Sequence, residues 1–218
     1  MAVSYMDFTS PNVEYTFDTR NNVFFKKDNR NYILALGIRQ LNTLGNVSIL
    51  DIHISKSNVI EPHIHQNASE LVYCISGEAI VSLINPFTKQ LLNFRIQPGQ
   101  VANVPQGWVH YEMATVDNTH LIAIFDAPVP EFIGVSDMLR LTPANVLAHT
   151  YCLNEAEVKK TLAPIQSTVV IGPPANCQTP REEPAAPDLR QDIQPQPMTV
   201  ANYDQHYYGY YSPYYDQW

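Results

Sequence analysis

Short runs of apolar and β-branched residues, separated by turn residues, extend from about residue 32 to residue 127. Helical periodicity of the apolar positions is absent from this part of the chain. The turns contain glycine, proline or asparagine, as at 44–46, 76–77, 98–99 and 106–107. We therefore predict eight strands, at 32–40, 47–55, 70–75, 79–84, 91–96, 101–104, 108–115 and 120–125. Eight short strands indicate an all-β jelly-roll barrel.

The pattern changes after residue 126, where helix-start signals replace the alternation. Thr142 before Pro143 is typical of an N-cap followed by proline at the first helical position. Asn154 and Glu157 have the spacing of a capping box. Two short helices are therefore predicted, at 143–150 and 155–163.

The last part of the chain differs in composition from the rest. Prolines recur from residue 173 to residue 197, and seven of the thirteen tyrosines lie between residues 203 and 215. Few aliphatic residues are available there to build a core. We predict an N-terminal arm at 1–30, one folded domain at 31–171, and a disordered Pro-rich linker with a Tyr-rich tail at 172–218. The tail is interpreted either as an interaction segment, since phenol rings stack and couple, or as low-complexity sequence.

Charge and cysteine content exclude several classes of function. The formal net charge of -8 and the lack of a Lys/Arg cluster argue against a nucleic-acid partner. No apolar run reaches transmembrane length, and the first residues do not resemble a signal peptide, so we expect cytoplasmic synthesis and no membrane partner. Three widely spaced cysteines are expected to be free thiols.

Three histidines and a glutamate stand out as candidate metal ligands: His63, His65, Glu70 and His110. His63 and His65 are two residues apart, so in a strand both imidazoles face the same side. A closed barrel can bring the other two side chains to that side from later strands. This donor set suits manganese, iron, zinc or nickel, and the residues alone do not choose among them. The other histidines, at positions 53, 120, 149 and 206, are interpreted as structural or surface residues.

The same residues match the two sequence motifs of the cupin superfamily. The first is matched by His63, His65, Glu70 and Gly77, and the second by Gly99, Pro105, Gly107 and His110. Only outer positions depart, with Ser57 in place of a glycine and Ala114 in place of an asparagine. The segments 61–71 and 141–147 resemble germins and oxalate decarboxylases, and the resemblance covers about residues 24–163. It implies a single double-stranded β-helix cupin barrel that binds Mn²⁺, takes a small carboxylate as substrate, with dioxygen as a further ligand, and forms a homo-oligomer.

Catalysis of this type needs a proton donor or acceptor near the metal. Two candidates are Glu131, in a loop at 126–137 where the decarboxylases carry a mobile lid, and Glu112, which shares strand parity with His110. The alternatives are a solvated loop carboxylate and a rim residue. Three residues before His63, where the decarboxylases resemble one another in having arginine and the germin oxidases asparagine, this chain has Ile60. This position argues against oxalate and allows a more apolar substrate.

A second functional class remains open at this stage. The barrel can instead be a metal-stabilised structural protein of an assembly such as a bacterial spore coat. The tail resembles the Tyr-rich tails of spore-coat proteins, and cupins similar to oxalate decarboxylase also occur in such coats. In that case the tail at 203–218 would anchor the barrel.

Overall fold

The computed structural model describes residues 7–177. It contains twelve strands, three α-helices and a 3₁₀ turn at Thr19–Asn21. The strands are β1 (Val23–Lys26), β2 (Tyr32–Leu36), β3 (Ser48–Ile54), β4 (Val59–Ile64), β5 (Glu70–Ser76), β6 (Ala79–Asn85), β7 (Gln90–Ile96), β8 (Val101–Val104), β9 (His110–Ala114), β10 (Thr119–Phe125), β11 (Ile133–Gly134) and β12 (Ile171–Gly172). The helices are α1 (Val135–Leu141), α2 (Ala144–Tyr151) and α3 (Glu155–Leu162).

Two antiparallel sheets form the jelly roll, which confirms the predicted fold class. The first sheet has the order β1-β2-β3-β10-β5-β8, and the second has the order β11-β4-β9-β6-β7, with β12 also paired to β4. Neighbouring strands within a sheet are often far apart in sequence, as in the β3–β10 and β4–β9 pairs. The barrel therefore brings residues from the two halves of the chain side by side.

The core lies between the sheets and follows from the alternation of the strands. In β10, Leu121, Ala123 and Phe125 point inward and are buried, while the residues between them are half-buried. The same alternation in the other strands adds Ile33, Ile52, Ile54, Val72, Cys74, Val81 and Val104 to one continuous cluster. Cys74 is a small buried core residue, and the three cysteines are free thiols.

Gly77, the last residue of the first motif, forms the tight turn between β5 and β6. Its φ is +75°, a left-handed conformation that favours glycine. A Cβ at this position would lie 2.6 Å from Cα of Thr119. The motif therefore requires glycine here because of both conformation and space.

Several predicted boundaries differ from the observed ones. Residues 23–26, predicted as part of an arm, form the edge strand β1, and the strand predicted at 32–40 ends at Leu36. β4 was absent from the eight predicted strands because Pro62 and the charged residues around it interrupt the apolar alternation.

The predicted lid loop at 126–137 ends earlier than expected, because α1 begins at Val135. Gly134 supplies no capping side chain. Glu61 instead accepts a hydrogen bond from the backbone N–H of Ser136 at 3.0 Å. This helix was missed because its cap lies 75 residues away in sequence.

The two predicted helices are present as α2 and α3, but α2 begins one residue later than predicted, with Pro143 at its N-cap, and Thr142 instead ends α1. Asn154 caps α3 by accepting hydrogen bonds from the backbone N–H groups of Ala156 and Glu157, at 2.9 and 3.2 Å, as its sequence indicates. Among the described residues, no helix has the length and apolar content needed to cross a membrane. The tail from residue 178 onward lies outside the described residues.

Candidate metal centre

The four predicted ligands meet inside the barrel. His63 lies on β4, His65 directly after it, and Glu70 and His110 are the first residues of β5 and β9. His63 and His110 are cross-strand partners. All four side chains are buried, and one donor atom from each lies within 4.8 Å of the others. The structure thus brings together the residues selected by the motif, as a group that could hold a metal ion.

Backbone carbonyls orient the three imidazoles. Each ring places its Nδ1 atom against a carbonyl oxygen: His63 against Glu61 at 2.7 Å, His65 against Glu131 at 2.7 Å, and His110 against Trp108 at 2.9 Å. A carbonyl oxygen can only accept, so each Nδ1 carries a proton and donates it. In the neutral rings the three Nε2 atoms therefore present lone pairs to the centre, which is the arrangement used by metal-binding histidines.

These acceptor atoms lie unusually close to one another. Nε2 of His63 and Nε2 of His65 are 3.1 Å apart, and Oε2 of Glu70 is 2.8 Å from Nε2 of His110 and 3.4 Å from Nε2 of His65. Bonds of about 2.0–2.2 Å to a single ion separate neighbouring ligand atoms by about 3.3 Å. Lone pairs this close repel unless a cation or a proton lies between them, so the donor set fits a divalent ion.

Burial, hydrogen bonds and neighbouring charges shift the pKa values of the clustered side chains. Burial, with the positive charge of His110, holds the pKa of His63 well below its ordinary value. Burial works against the charge of Glu70, but hydrogen bonds from His110 and His65 outweigh it and lower the pKa of that carboxyl far below normal. Burial likewise opposes protonation of His110, yet the hydrogen bond to Glu70 and the charges of Glu112 and Glu70 raise its pKa to about 9. Without a metal, a proton between His110 and Glu70 offsets the buried charge.

Glu112 is a buried carboxyl group beside this cluster. It lines the cavity, as its shared parity with His110 predicts, and its Oε1 atom is 3.8 Å from Nε2 of His110. That oxygen has no hydrogen-bond partner among the described residues. Burial, together with the negative charge of Glu70, raises the pKa of Glu112 to about 8. Glu112 is therefore placed to hold or release a proton next to the ligands.

Glu131 contributes through its backbone in this structure. Its carbonyl oxygen accepts the hydrogen bond from His65, and its N–H donates to Oδ1 of Asn67 at 2.7 Å. Its side chain is exposed and accepts a hydrogen bond from Nε2 of Gln66 at 3.1 Å. The neighbouring Pro130 and Phe132 line the cavity, but Glu131 does not. A direct catalytic role for its carboxylate stays a prediction that requires the loop to move.

A cavity of about 350 Å³ is lined by three of the four candidate ligands, His63, His65 and Glu70. Its walls are mainly apolar and come from β2, β3, the 128–132 loop and Ile60 on β4. The ring of Phe132 stacks on the imidazole of His63, with centroids 4.7 Å apart. Arg39, an exposed residue, also borders the cavity. This volume is within the range of small-molecule binding sites.

Three of these residues were not selected from the sequence: Arg39, Glu61 and Phe132. Glu61 is buried and lies two residues before His63, separated from it by Pro62, so a charged residue next to the motif was the available signal. Nothing local distinguishes Arg39 or Phe132, because each lies in an irregular segment that only the closed barrel brings to the cavity.

The comparisons with known proteins agree with this geometry. The sequence profile of a family described as Cupin matches residues 19–159, which is well over half of the chain. The chain belongs to the cupin family. Germin-like protein 1-2 of Oryza sativa subsp. japonica is 32% identical over 123 residues, covering 54% of each chain. Legumin type B of Vicia faba is 28% identical over 108 residues, covering 49% of this cupin and 33% of the legumin.

Solved structures resemble the same part of this cupin. Oxalate decarboxylase from Bacillus subtilis at pH 4.6 superposes with a TM-score of 0.65 and 22% identity, over 76% of this chain and 42% of that one. Procruciferin, an 11S globulin from Brassica napus, gives a TM-score of 0.64 and 22% identity, over 71% and 41% of the two chains. At this identity the likeness shows the fold. The chain spans about half the length of the germin-like proteins it matches.

Proposed function

We propose that this cupin binds one divalent metal ion through His63, His65, Glu70 and His110 and acts there on a small carboxylate. The observation that carries the proposal is the convergence of three Nε2 lone pairs and one carboxylate in a buried centre, each ring being oriented by a backbone carbonyl. Four side chains arranged in this way suit an ion with further positions left for a substrate.

Mn²⁺ is the metal we propose, with iron, zinc and nickel as alternatives. The mixed imidazole and carboxylate donors accept all four ions. The likeness to oxalate decarboxylase and to germin-like proteins supports an activity of the oxalate decarboxylase or oxidase type. When bound, the metal would supply Lewis acidity toward a carboxylate and, as Mn²⁺, one-electron chemistry.

The protein's own residues would select and handle the acid. Arg39 offers a guanidinium group to a carboxylate at the cavity, and Ile60 and Phe132 present apolar walls to the rest of the molecule. Glu112 would exchange a proton next to His110, since its Oε1 atom has no hydrogen-bond partner in the part of the chain that the structure describes. These features support an acid that is more apolar than oxalate.

Metal quantification and turnover on the same full-length preparation test this function. We expect about one equivalent of metal per chain and turnover of small acids that carry branched aliphatic groups, with oxalate poorer. Glu70→Gln should lose both metal and activity, while Glu157→Gln, an exposed change on α3, should keep both. Full metal occupancy with no turnover of any acid would contradict the enzymatic proposal and leave the metal site standing.

A metal-stabilised structural role is the second candidate, and the tyrosine content of residues 203–215 favours it. In this case the chain would be made in the cytoplasm and retained in an assembly such as a spore coat through its tail. Homo-oligomer formation is proposed under both functions and can be measured by light scattering. A chain ending at residue 177 should then become easily extractable from cells, whereas unchanged extractability would argue against anchoring by the tail.

A further inference from the structure

A second cluster of metal-ligand side chains lies on the outer face of the first sheet. Asp51 and His53 are two residues apart on β3 and so project from the same face. His120 on β10 lies directly opposite His53 in the antiparallel register. One donor atom from each of the three side chains lies within 4.8 Å of the others. None of the three lines the cavity, so this cluster is separate from the centre inside the barrel.

The two imidazoles of this outer cluster are held parallel. The ring of His53 stacks on His120 with centroids 4.2 Å apart, and Tyr32 on β2 stacks on the other side of His53 at 4.5 Å. The three rings belong to residues that pair directly across β2, β3 and β10. Stacking in a row restricts ring rotation, so the donor atoms are already positioned before a ligand arrives.

Both Nε2 atoms point at the same carboxylate oxygen. Oδ1 of Asp51 is 2.7 Å from Nε2 of His120 and 3.0 Å from Nε2 of His53. The three side chains are 21–30% exposed, so they remain open to solvent on one side. Burial alone would raise the pKa of Asp51, but hydrogen bonds from His53 and His120 lower it, which keeps the carboxylate ionised. These separations are hydrogen-bond distances and are a few tenths of an ångström shorter than the about 3.3 Å between ligands of one ion, so an ion would replace the hydrogen bonds with a small outward shift of the side chains.

We propose that Asp51, His53 and His120 form a second binding site for a divalent transition ion that favours imidazole, of which Zn²⁺ is the representative. Two imidazole nitrogens and one carboxylate oxygen would bind the ion, and the remaining positions face solvent. The Nε2 proton of each neutral ring moves to Nδ1 through solvent, so binding needs no net proton release. The sequence indicated only structural or surface histidines here, because β3 and β10 are far apart along the chain.

Zn²⁺ titration of the metal-stripped full chain tests this site. The doubly substituted His53→Gln/His120→Gln protein should bind one equivalent fewer than the unsubstituted protein, and His149→Gln, an exposed change on α2, should lose none. The doubly substituted His63→Gln/His110→Gln protein should keep the outer equivalent, which separates this site from the proposed function. Equal stoichiometry in the first variant and the unsubstituted protein would overturn the proposal.

A measurement on the unsubstituted protein covers the case in which a variant folds poorly. Long-range ¹H–¹⁵N spectra of the imidazoles should show the signals of His53 and His120 changing together as Zn²⁺ is added, with the Nδ1–H tautomer becoming fixed. Unchanged signals for these two rings after Zn²⁺ addition would refute the site, whatever the inner cluster does.

Discussion

Ile60 lies directly opposite Glu112 in the β4–β9 pair, and both side chains line the cavity. The register between these strands shifts between Ile60 and His63, so two residues of β4, Glu61 and Pro62, lie opposite one residue of β9, Tyr111. This bulge places Ile60 and His63 on the same side of the sheet, although a regular strand would place them on opposite sides. An aliphatic side chain therefore faces the carboxyl group whose Oε1 atom has no hydrogen-bond partner within residues 7–177.

Glu112→Gln tests the proposed proton exchange. The amide keeps the shape of the side chain but cannot take up or release a proton, so turnover should fall by about 10²–10⁴-fold. Metal content should be unchanged, because Glu112 is outside the four-ligand group. Steady-state kinetics and elemental analysis of the same preparation check both points. Turnover equal to that of Glu157→Gln would remove Glu112 from the mechanism.

Removal of the metal should destabilise the barrel. An ion that binds only the folded chain contributes about 2.7 kcal/mol when its free concentration is 100 times the Kd. Chelation should therefore lower the thermal midpoint by about 5–10 °C in a domain of this size. Scanning calorimetry with and without Mn²⁺ measures the shift. Glu70→Gln should show the lower midpoint under both conditions, and a persistent Mn²⁺ response in that variant would contradict the ligand assignment.

Glu61 joins the C-terminal segment to the strand that carries His63. Its carboxylate accepts backbone hydrogen bonds from Ser136, Val169 and Val170, at 3.0, 2.9 and 2.8 Å. Glu61→Gln turns one acceptor atom into a donor that faces N–H groups, so the free energy of unfolding should drop by about 2–4 kcal/mol. Urea unfolding measures this change, with Glu157→Gln as the exposed control. A loss below about 0.5 kcal/mol would contradict this role.

Glu78 should make stability depend on pH. Hydrogen bonds from Arg95, Thr115 and Gln97 lower its pKa to about 2. Because the folded pKa lies below the ordinary value near 4.5, the stabilisation is complete above that pH and is lost as pH falls toward 2. The Arg95 side chain is 51% exposed, so screening reduces the contribution to about 1–2 kcal/mol.

Glu78→Gln should therefore be less stable than the unsubstituted protein at pH 7, with the difference narrowing between pH 5 and pH 3. Denaturant unfolding across this range measures the difference. A constant difference would show that hydrogen bonding alone, without the charge, accounts for the effect.

Gly77→Ala should lower the free energy of unfolding by at least about 2 kcal/mol, since it adds both left-handed backbone strain and a steric contact with Thr119. Gly99→Ala tests the backbone strain without the steric contact, because Gly99 has a φ of +85° but open space around its Cβ position. It should lower the free energy of unfolding by about 1–2 kcal/mol. Gly45→Ala, with open space and no positive φ, should be close to neutral. Equal losses of stability in Gly77→Ala and Gly99→Ala would show that the contact with Thr119 adds nothing to the destabilisation.

The four candidate ligands inside the barrel could be predicted to converge because their spacing follows from strand parity and two compact motifs. Features that depend on strand pairing could not be predicted from the sequence. The bulge before His63, the cap that Glu61 gives to α1, and the meeting of Asp51 with His120 each join residues through the sheets rather than through local sequence. Alternation along one strand indicates which side chains share a face, but the neighbouring strand is known only once the barrel closes.

The short strand β12 pairs with β4, opposite Ile60 and Val59, and the two residues before it bind Glu61. The chain therefore leaves the barrel along the strand that carries His63. Force applied to the chain beyond residue 177 would act first on β12, whose Ile171 is a core residue, and through its pairing on β4. If the tail is fixed to a larger assembly, mechanical load would therefore reach the strand that carries His63 by a direct path.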